Sequence, residues 1–341
     1  MPTITDIAKR AGVSISTVSY ALSGRRPISE ATRKRIFAAI EELDFRPNPV
    51  GRALASKRSQ TIAILHPTRS HVMSEMPLEF LISAASAAAR RNYSLLLATS
   101  PNEDEELVRL IGQGFIDGLI LMEVKLDDAR IPLLRQHGYH FSMIGHCRDN
   151  DGLSFVDFDF EHGLGLAVDY LTELGHPQVA LVSRQQSLHD AGYGPSVRAI
   201  EGLHKAAEAR GIEAIVRFSE QDPIGGYETA RELLENHPRL GAIVTINSEV
   251  IGGIMRAVHE AGLRIPDDIS FIAITSPRIA TLINPPLSTV DFPAEEMGRI
   301  GAELLIDCLE GGEPVQTQYL LRSRLTVRGS SGPYTRTGRP R

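Results

Sequence analysis

Residues 15–20 read Ile-Ser-Thr-Val-Ser-Tyr. Taken as a helix, this stretch turns Val18 and Leu22, four apart, toward a core and leaves Ile15, Ser16, Ser19 and Tyr20 on the wet face. An apolar group beside hydroxyls suits the edges of base pairs: isoleucine matches a thymine methyl, and serine donates to or accepts from several bases. Other chemistries find no support. The G-x-G of HGLGLA (162–167) opens no phosphate loop after a strand. The eleven histidines show neither HExxH nor paired ligand spacing, so no metal is assigned. No G-x-S-x-G elbow accompanies the scattered Ser, His and Asp residues. The chain is therefore read as a non-enzyme without a cofactor.

The elements around that stretch must aim it. Thr3-Ile4-Thr5-Asp6 has the S/T-x-x-D/E form of a helix start. Ile7, Ala8 and Ala11 follow on one face, and Gly12 ends the helix as a left-handed residue would. Ser14 caps the next helix. A third runs from Ser29-Glu30 to about Asp44, with Ile36, Ile40 and Leu43 as its stripe. Two short helices across a tight turn, buttressed by a third, form a helix-turn-helix, whose second helix fits the major groove. Charge agrees. Residues 1–60 hold eleven Lys/Arg against five Asp/Glu, a balance of +6, while the other 281 residues balance at −12. A basic head on an acidic body suits a polyanionic partner for the head alone.

At 341 residues the chain exceeds the reach of one core, so two or three domains are expected. Two distant cysteines, Cys147 and Cys308, support neither a disulfide framework nor a zinc site. No apolar run approaches the roughly 20 residues that span a bilayer, and the N-terminus lacks an apolar signal core. A cytoplasmic protein without membrane contact is expected.

DIAKRAGVSISTVSYALSG (6–24) resembles, nearly position for position, the DNA-binding head of the LacI/GalR repressors. The resemblance implies that Ile15, Ser16 and Tyr20 select the operator, with Thr17 and Ser19 near the backbone and Arg26 at a further position that touches DNA in some members. Thr3, Thr5, Ser14 and Arg33 are candidate phosphate contacts, which position the head without reading sequence. In FRPNPVGRALASKRSQ (45–60), two prolines precede a helix-competent piece. The resemblance makes it a hinge helix that orders on DNA, with Leu54 wedged into the minor groove beside Ala53. Gly51, where alanine is more usual, weakens that helix by up to about 1 kcal/mol.

Beyond residue 60 the periodicity changes. TIAIL (61–65), SLLLA (94–98), DGLILM (117–122), QVALVS (178–183), GAIVTI (241–246) and ISFIAI (269–274) are apolar runs without polar alternation. Such runs predict parallel strands buried on both faces, with helical crossovers. The fold class is α/β, doubly wound in two lobes with a ligand cleft between them. The resemblance continues through YLTELGHPQVALV (170–182), GLRIPDDISFIAI (262–274) and NPPLSTVDFPAEEMGRIGAELLIDCLEGG (284–312). It implies the periplasmic-binding-protein fold, crossed near 157, 290 and 320. The expected map is a helix-turn-helix domain at 1–46 and a hinge at 47–60. The first lobe takes 61–157 with 290–319, the second 158–289 with 320–328, and 329–341 is a Gly/Ser/Pro-rich disordered tail.

Candidate pocket residues by position at strand ends are His66, Glu123, Arg198, Asn247, Thr275 and Phe292. The chain departs from the family where a strand usually ends in G-(F/Y)-D-D and here reads Ala273-Ile274-Thr275-Ser276. The expected N-D pair is Asn247-Ser248, and Arg198 lies four, not three, residues before Gly202. Lost carboxylates are lost hydroxyl acceptors, which points to an effector carrying an acid or phosphate group, or a sugar bound through other groups. The leading reading is a homodimeric transcriptional regulator, most simply a repressor, bound to a palindromic double-stranded operator and controlled by a carbohydrate or carbohydrate derivative. The alternative is a solute-binding receptor without a transcriptional role. No C-terminal heptad run supports a tetramer-forming coiled coil.

Overall fold

Helix α1 (Ile4–Ala11) begins where Thr3 closes a capping box. Thr3 Oγ1 and N–H both donate to Asp6 Oδ2, at 2.7 and 2.8 Å. Those two bonds hold the Asp6 carboxyl below its ordinary range. Gly12 then turns at φ 65°, a left-handed conformation that glycine enters without a Cβ penalty. Helix α2 (Ile15–Ser23) restarts immediately, because the Ser14 hydroxyl accepts the Thr17 N–H at 3.1 Å. Ser29 caps α3 (Glu30–Glu42) in the same way, its hydroxyl taking the Thr32 N–H at 3.2 Å. Ile7, Ala8, Ala11, Val18, Ile36, Ala39 and Phe45 form the small core that these three helices share.

The structure, a computed structural model, describes residues 2–23, 26–45, 58–66, 75–99, 103–311 and 316–335. The expected hinge residues Ala53 and Leu54 lie outside the described residues. The chain divides into two units, Met1–Gln60 and Thr61–Arg341.

The second unit contains β1 (Thr61–Leu65), β2 (Ser94–Ala98), β3 (Gly118–Leu121), β4 (Phe141–Ile144) and β5 (Phe155–Phe158). After these come β6 (Gln178–Ser183), β7 (Glu213–Phe218), β8 (Ala242–Thr245), β9 (Ser270–Thr275), β10 (Ser288–Asp291), β11 (Gln318–Leu321) and β12 (Leu325–Thr326). They build two six-stranded sheets, in the orders β11-β5-β4-β3-β1-β2 and β12-β10-β9-β8-β6-β7. Every pairing is parallel except β10 with β12. Central strands such as β1, β3, β8 and β9 are buried along nearly their whole length, as sheets covered by helices on both faces require.

The chain passes between the sheets three times. It enters the second lobe through α7 (Phe160–Glu173), returns through α13 (Ala294–Leu309) and β11, and leaves again for β12. The crossings expected near 157, 290 and 320 each fall about a residue later, the first after Phe158 at the end of β5. Register carries β10 to Asp291 beside Thr275, and β11 to Leu321 beside Phe158, so the other two fall after 291 and after 321. In the first lobe α13 lies tightly on α4 (Glu75–Arg90). A Cβ at Gly298 would collide with the Phe80 carbonyl oxygen and the Ser83 hydroxyl.

The expected disordered tail is corrected over residues 329–335. Ser330 and Ser331 are buried. The Phe271 N–H donates to the Ser330 carbonyl at 2.7 Å, the Ser288 N–H to the Ser330 hydroxyl at 2.7 Å, and the Ser270 hydroxyl to the Gly332 carbonyl at 3.0 Å. Tyr334 packs edge-on to the His176 ring at 5.5 Å. Small hydroxylated residues therefore strap the second sheet by hydrogen bonding, not by apolar burial. Residues 336–341 lie outside the described residues. Among the described residues no helix is long and apolar enough to cross a membrane.

Candidate nucleic-acid interface and ligand cleft

In the head, α2 presents part of the face that its sequence anticipates. Val18 is fully buried, Ile15 is 49% exposed and Ser16 is exposed. Ser14, which caps the helix, also shares hydrogen bonds of 2.8 Å with the hydroxyls of Ser16 and Thr17. Ser19 and Tyr20 are half-buried. The Arg26 guanidinium sits over the Tyr20 ring at 5.2 Å, so these two candidate readers form one stacked unit. Arg33 stacks on Phe37 at 5.6 Å, on the exposed side of α3. Thr5 is exposed, whereas the Thr3 hydroxyl is spent on its cap.

In the second unit a cleft opens at the carboxyl ends of the strands of both lobes, where doubly wound sheets usually hold ligands. Room for the centres of several waters, ≈ 70 Å³, lies between His66, Glu123, Asp157, Arg184 and Tyr193 and an apolar wall that includes Phe80, Phe160, Phe292 and Met297. Three of the six candidates meet there: His66, Glu123 and Phe292.

Arg198, Asn247 and Thr275 do not line it. Arg198, on α9 (Gly194–Arg210), donates to the carbonyls of His146 at 2.8 Å and Cys147 at 3.2 Å, and lies 3.6 Å from the Asp157 carboxylate. Burial lowers its pKa despite Asp157. Asn247 is buried and spends its Oδ1 on the Glu249 N–H at 3.2 Å. Thr275 is fully buried within β9, one residue beyond the lining residue Ile274. The reading from strand ends also missed Arg184, directly after β6, and Asp157, inside β5. Arg184 was within reach of the same rule, since it is the first residue past QVALVS. Asp157 gave no signal, because its short strand FVDF was not distinguished from a loop.

Polar contacts join the lobes around this cleft. Arg184 Nη1 donates across to Glu123 Oε1 at 3.3 Å and, within its own lobe, to Gln221 Oε1 at 3.1 Å. The Ser276 hydroxyl donates to Glu79 at 2.6 Å. The backbones meet directly: the Leu126 N–H donates to the Gly192 carbonyl at 2.7 Å, and the Gly194 N–H to the Val124 carbonyl at 3.1 Å. Asp157 is spent within the protein, accepting from His146 Nδ1 at 2.7 Å and from the Phe158 N–H at 2.7 Å. Behind the loop after β3, the buried Arg130 grips Asp128 with two bonds, 2.9 and 2.7 Å, and donates to the Met122 carbonyl at 3.1 Å. Burial works to raise the Asp128 carboxyl, but those bonds and the Arg130 charge hold it below the ordinary value. Glu123, on this loop, has a left-handed backbone at φ 53°.

Residues 3–48 match the family model for bacterial regulatory proteins of the lacI family, and residues 168–331 match that for a periplasmic binding protein-like domain. The HTH-type transcriptional repressor PurR of Erwinia tasmaniensis is 30% identical, over 98% of this chain and 98% of its own. The chain belongs to the LacI family. It is a DNA-binding transcriptional regulator with a helix-turn-helix head and a two-lobed α/β body, as its sequence led one to expect. The HTH-type transcriptional regulator AglR of Rhizobium meliloti is likewise 30% identical, over 97% of this LacI-family chain and 94% of its own. Two solved structures carry the likeness to the fold. The lac repressor dimer bound to operator and the anti-inducer ONPF superposes with a TM-score of 0.82 at 25% identity, covering 97% of this chain and 99% of that one. The transcriptional regulator CelR–cellobiose complex gives 0.72 at 26%, covering 97% and 100%.

Proposed function

We propose that this LacI-family regulator is a cytoplasmic repressor that binds a two-fold symmetric operator as a homodimer. A small ligand, a sugar or sugar derivative, held between the lobes controls it. One observation carries the reading: a head whose α2 leaves Ile15 and Ser16 exposed belongs to the same chain as a two-lobed body with a cleft at the carboxyl ends of its strands. Ile15, Ser16, Tyr20 and Arg26 read bases. Thr5, Ser14, Thr17, Ser19 and Arg33, with the capped Thr3, face the backbone, and Ala53 with Leu54 enters the minor groove. The names of relatives agree, since PurR is a repressor and the lac repressor structure is an operator-bound dimer.

Control requires only that the ligand bind one lobe arrangement better than the other, and a coupling of about 1–3 kcal/mol is ordinary. The lobe-bridging contacts of Arg184, Ser276 and residues 192–194 are what such a ligand can strengthen or replace. The test is selection of genomic DNA fragments by the purified, ligand-free protein at near-physiological salt. Enrichment of an inverted repeat supports a dimer that binds unaided. Sites lacking symmetry, or none at all with or without ligand extracts, reject it.

A further inference from the structure

Among the described residues, Arg184 is the one arginine lining the cleft. Its two hydrogen bonds are both made by Nη1, so Nε and Nη2 make none among the described residues. Burial works against its charge, but Tyr193, Glu123 and Glu249 outweigh that and keep it a cation. Its ion pair with Glu123 is a single contact at 3.3 Å, longer than the 2.7–2.9 Å usual for charge-assisted bonds. The guanidinium fork is built for a carboxylate or phosphate gripped by two parallel N–H groups, and Glu123 does not supply that grip. Among the described lining residues, both carboxylates that could accept from a neutral polyol, Glu123 and Asp157, already have partners. Asp157 is committed to His146, Arg198 and the Phe158 N–H, and position 275 is a fully buried threonine. Opposite, Met76, Phe80, Phe160, Ile274, Phe292 and Met297 offer an apolar wall for a C–H face.

We infer that the effector is a small organic anion, a sugar acid or sugar phosphate, whose acidic group is held by Arg184 in place of Glu123. This rests on the ligand-controlled reading above and narrows its ligand. Arg184 follows β6 in the second lobe and Glu123 follows β3 in the first, so the exchange also removes an ion pair between the lobes.

The test is calorimetric titration of the full-length protein, at constant ionic strength, with hexoses, the matching hexuronates, the matching hexose 6-phosphates and inorganic phosphate. The acids should bind at least about tenfold more tightly than the neutral hexoses, the worth of a hydrogen-bonded charge. The hexuronate and hexose-phosphate arms distinguish carboxylate from phosphate. Arg184→Gln should lose at least about tenfold toward the acids, Arg184→Lys should keep part of it, and Glu123→Gln should tighten binding severalfold. Melting each variant alone confirms that it is folded. A neutral hexose that binds as well as its acid, an Arg184→Gln variant that binds the acid unchanged, or silence from the whole series overturns the assignment. Operator enrichment by the same preparation separates the two readings: enriched inverted repeats with an acid-blind protein overturn only the anion.

Discussion

Tyr20 and Arg26 illustrate how one stack can serve a reading surface. The ring and the guanidinium, 5.2 Å apart, restrict each other before any DNA arrives, which lowers the entropy lost on contact. Tyr20→Ala should change the preference at one or two operator positions by about 1–3 kcal/mol, and Arg26→Ala should affect the same positions. Competition between the selected operator and its single-base variants measures this; an unchanged preference removes Tyr20 from the reading. Asp128 has a different job. Asp128→Asn removes the carboxylate that the buried Arg130 grips with two bonds and should destabilise the body by about 3–5 kcal/mol in chemical denaturation. A loss under about 1 kcal/mol would mean that the loop holds without its clamp. His176 links the C-terminal strap to pH. Burial depresses its pKa below the ordinary 6.5 while Nε2 bonds to the Gly332 carbonyl at 3.0 Å. As pH falls below 6.5, the unfolded chain takes up a proton that the folded chain resists, so stability declines with falling pH. Urea denaturation at pH 7.5 and 5.5 should show that decline, shallower in His176→Gln; equal slopes would assign it elsewhere.

Uninterrupted apolar runs were readable even at a sheet edge, as SLLLA of β2 shows, whereas short strands or strands carrying charge were not. TIAIL, QVALVS and ISFIAI announce β1, β6 and β9 because nothing polar interrupts them. β7 carries Glu213 and Arg217 at the border of its sheet, β10 ends on Asp291, and β12 is two residues long, so none has a pattern to recognise. The helix starts at Thr3, Ser14 and Ser29 were legible because capping is local chemistry. The cleft was half legible. Strand ends led to His66, Glu123 and Phe292, but which side of α9 Arg198 occupies, and that it is spent on His146 and Cys147, depends on packing between distant segments. The same holds for α13 on α4. Gly298→Ala should cost about 1–3 kcal/mol, since a methyl there meets the α4 backbone; an unchanged melting temperature would show that the helices separate freely.

At the scale of the molecule, charge is divided between the two units, +6 on residues 1–60 and −12 on the rest. Operator affinity should therefore fall steeply with salt, with a log–log slope of roughly −0.9 for each phosphate contact, as measured by fluorescence anisotropy from low to physiological ionic strength. A flat dependence would reject the basic head as the contact surface. The connectivity of the body has a further result. The head has all its core residues by Phe45, whereas the first lobe lacks α13 until residue 309 and its border strand β11 until residue 321. During translation the nascent chain thus owns a complete reader long before it owns a complete sensor. Premature termination anywhere in the last stretch yields a polypeptide that still carries its address for DNA and has lost the means of being told to leave.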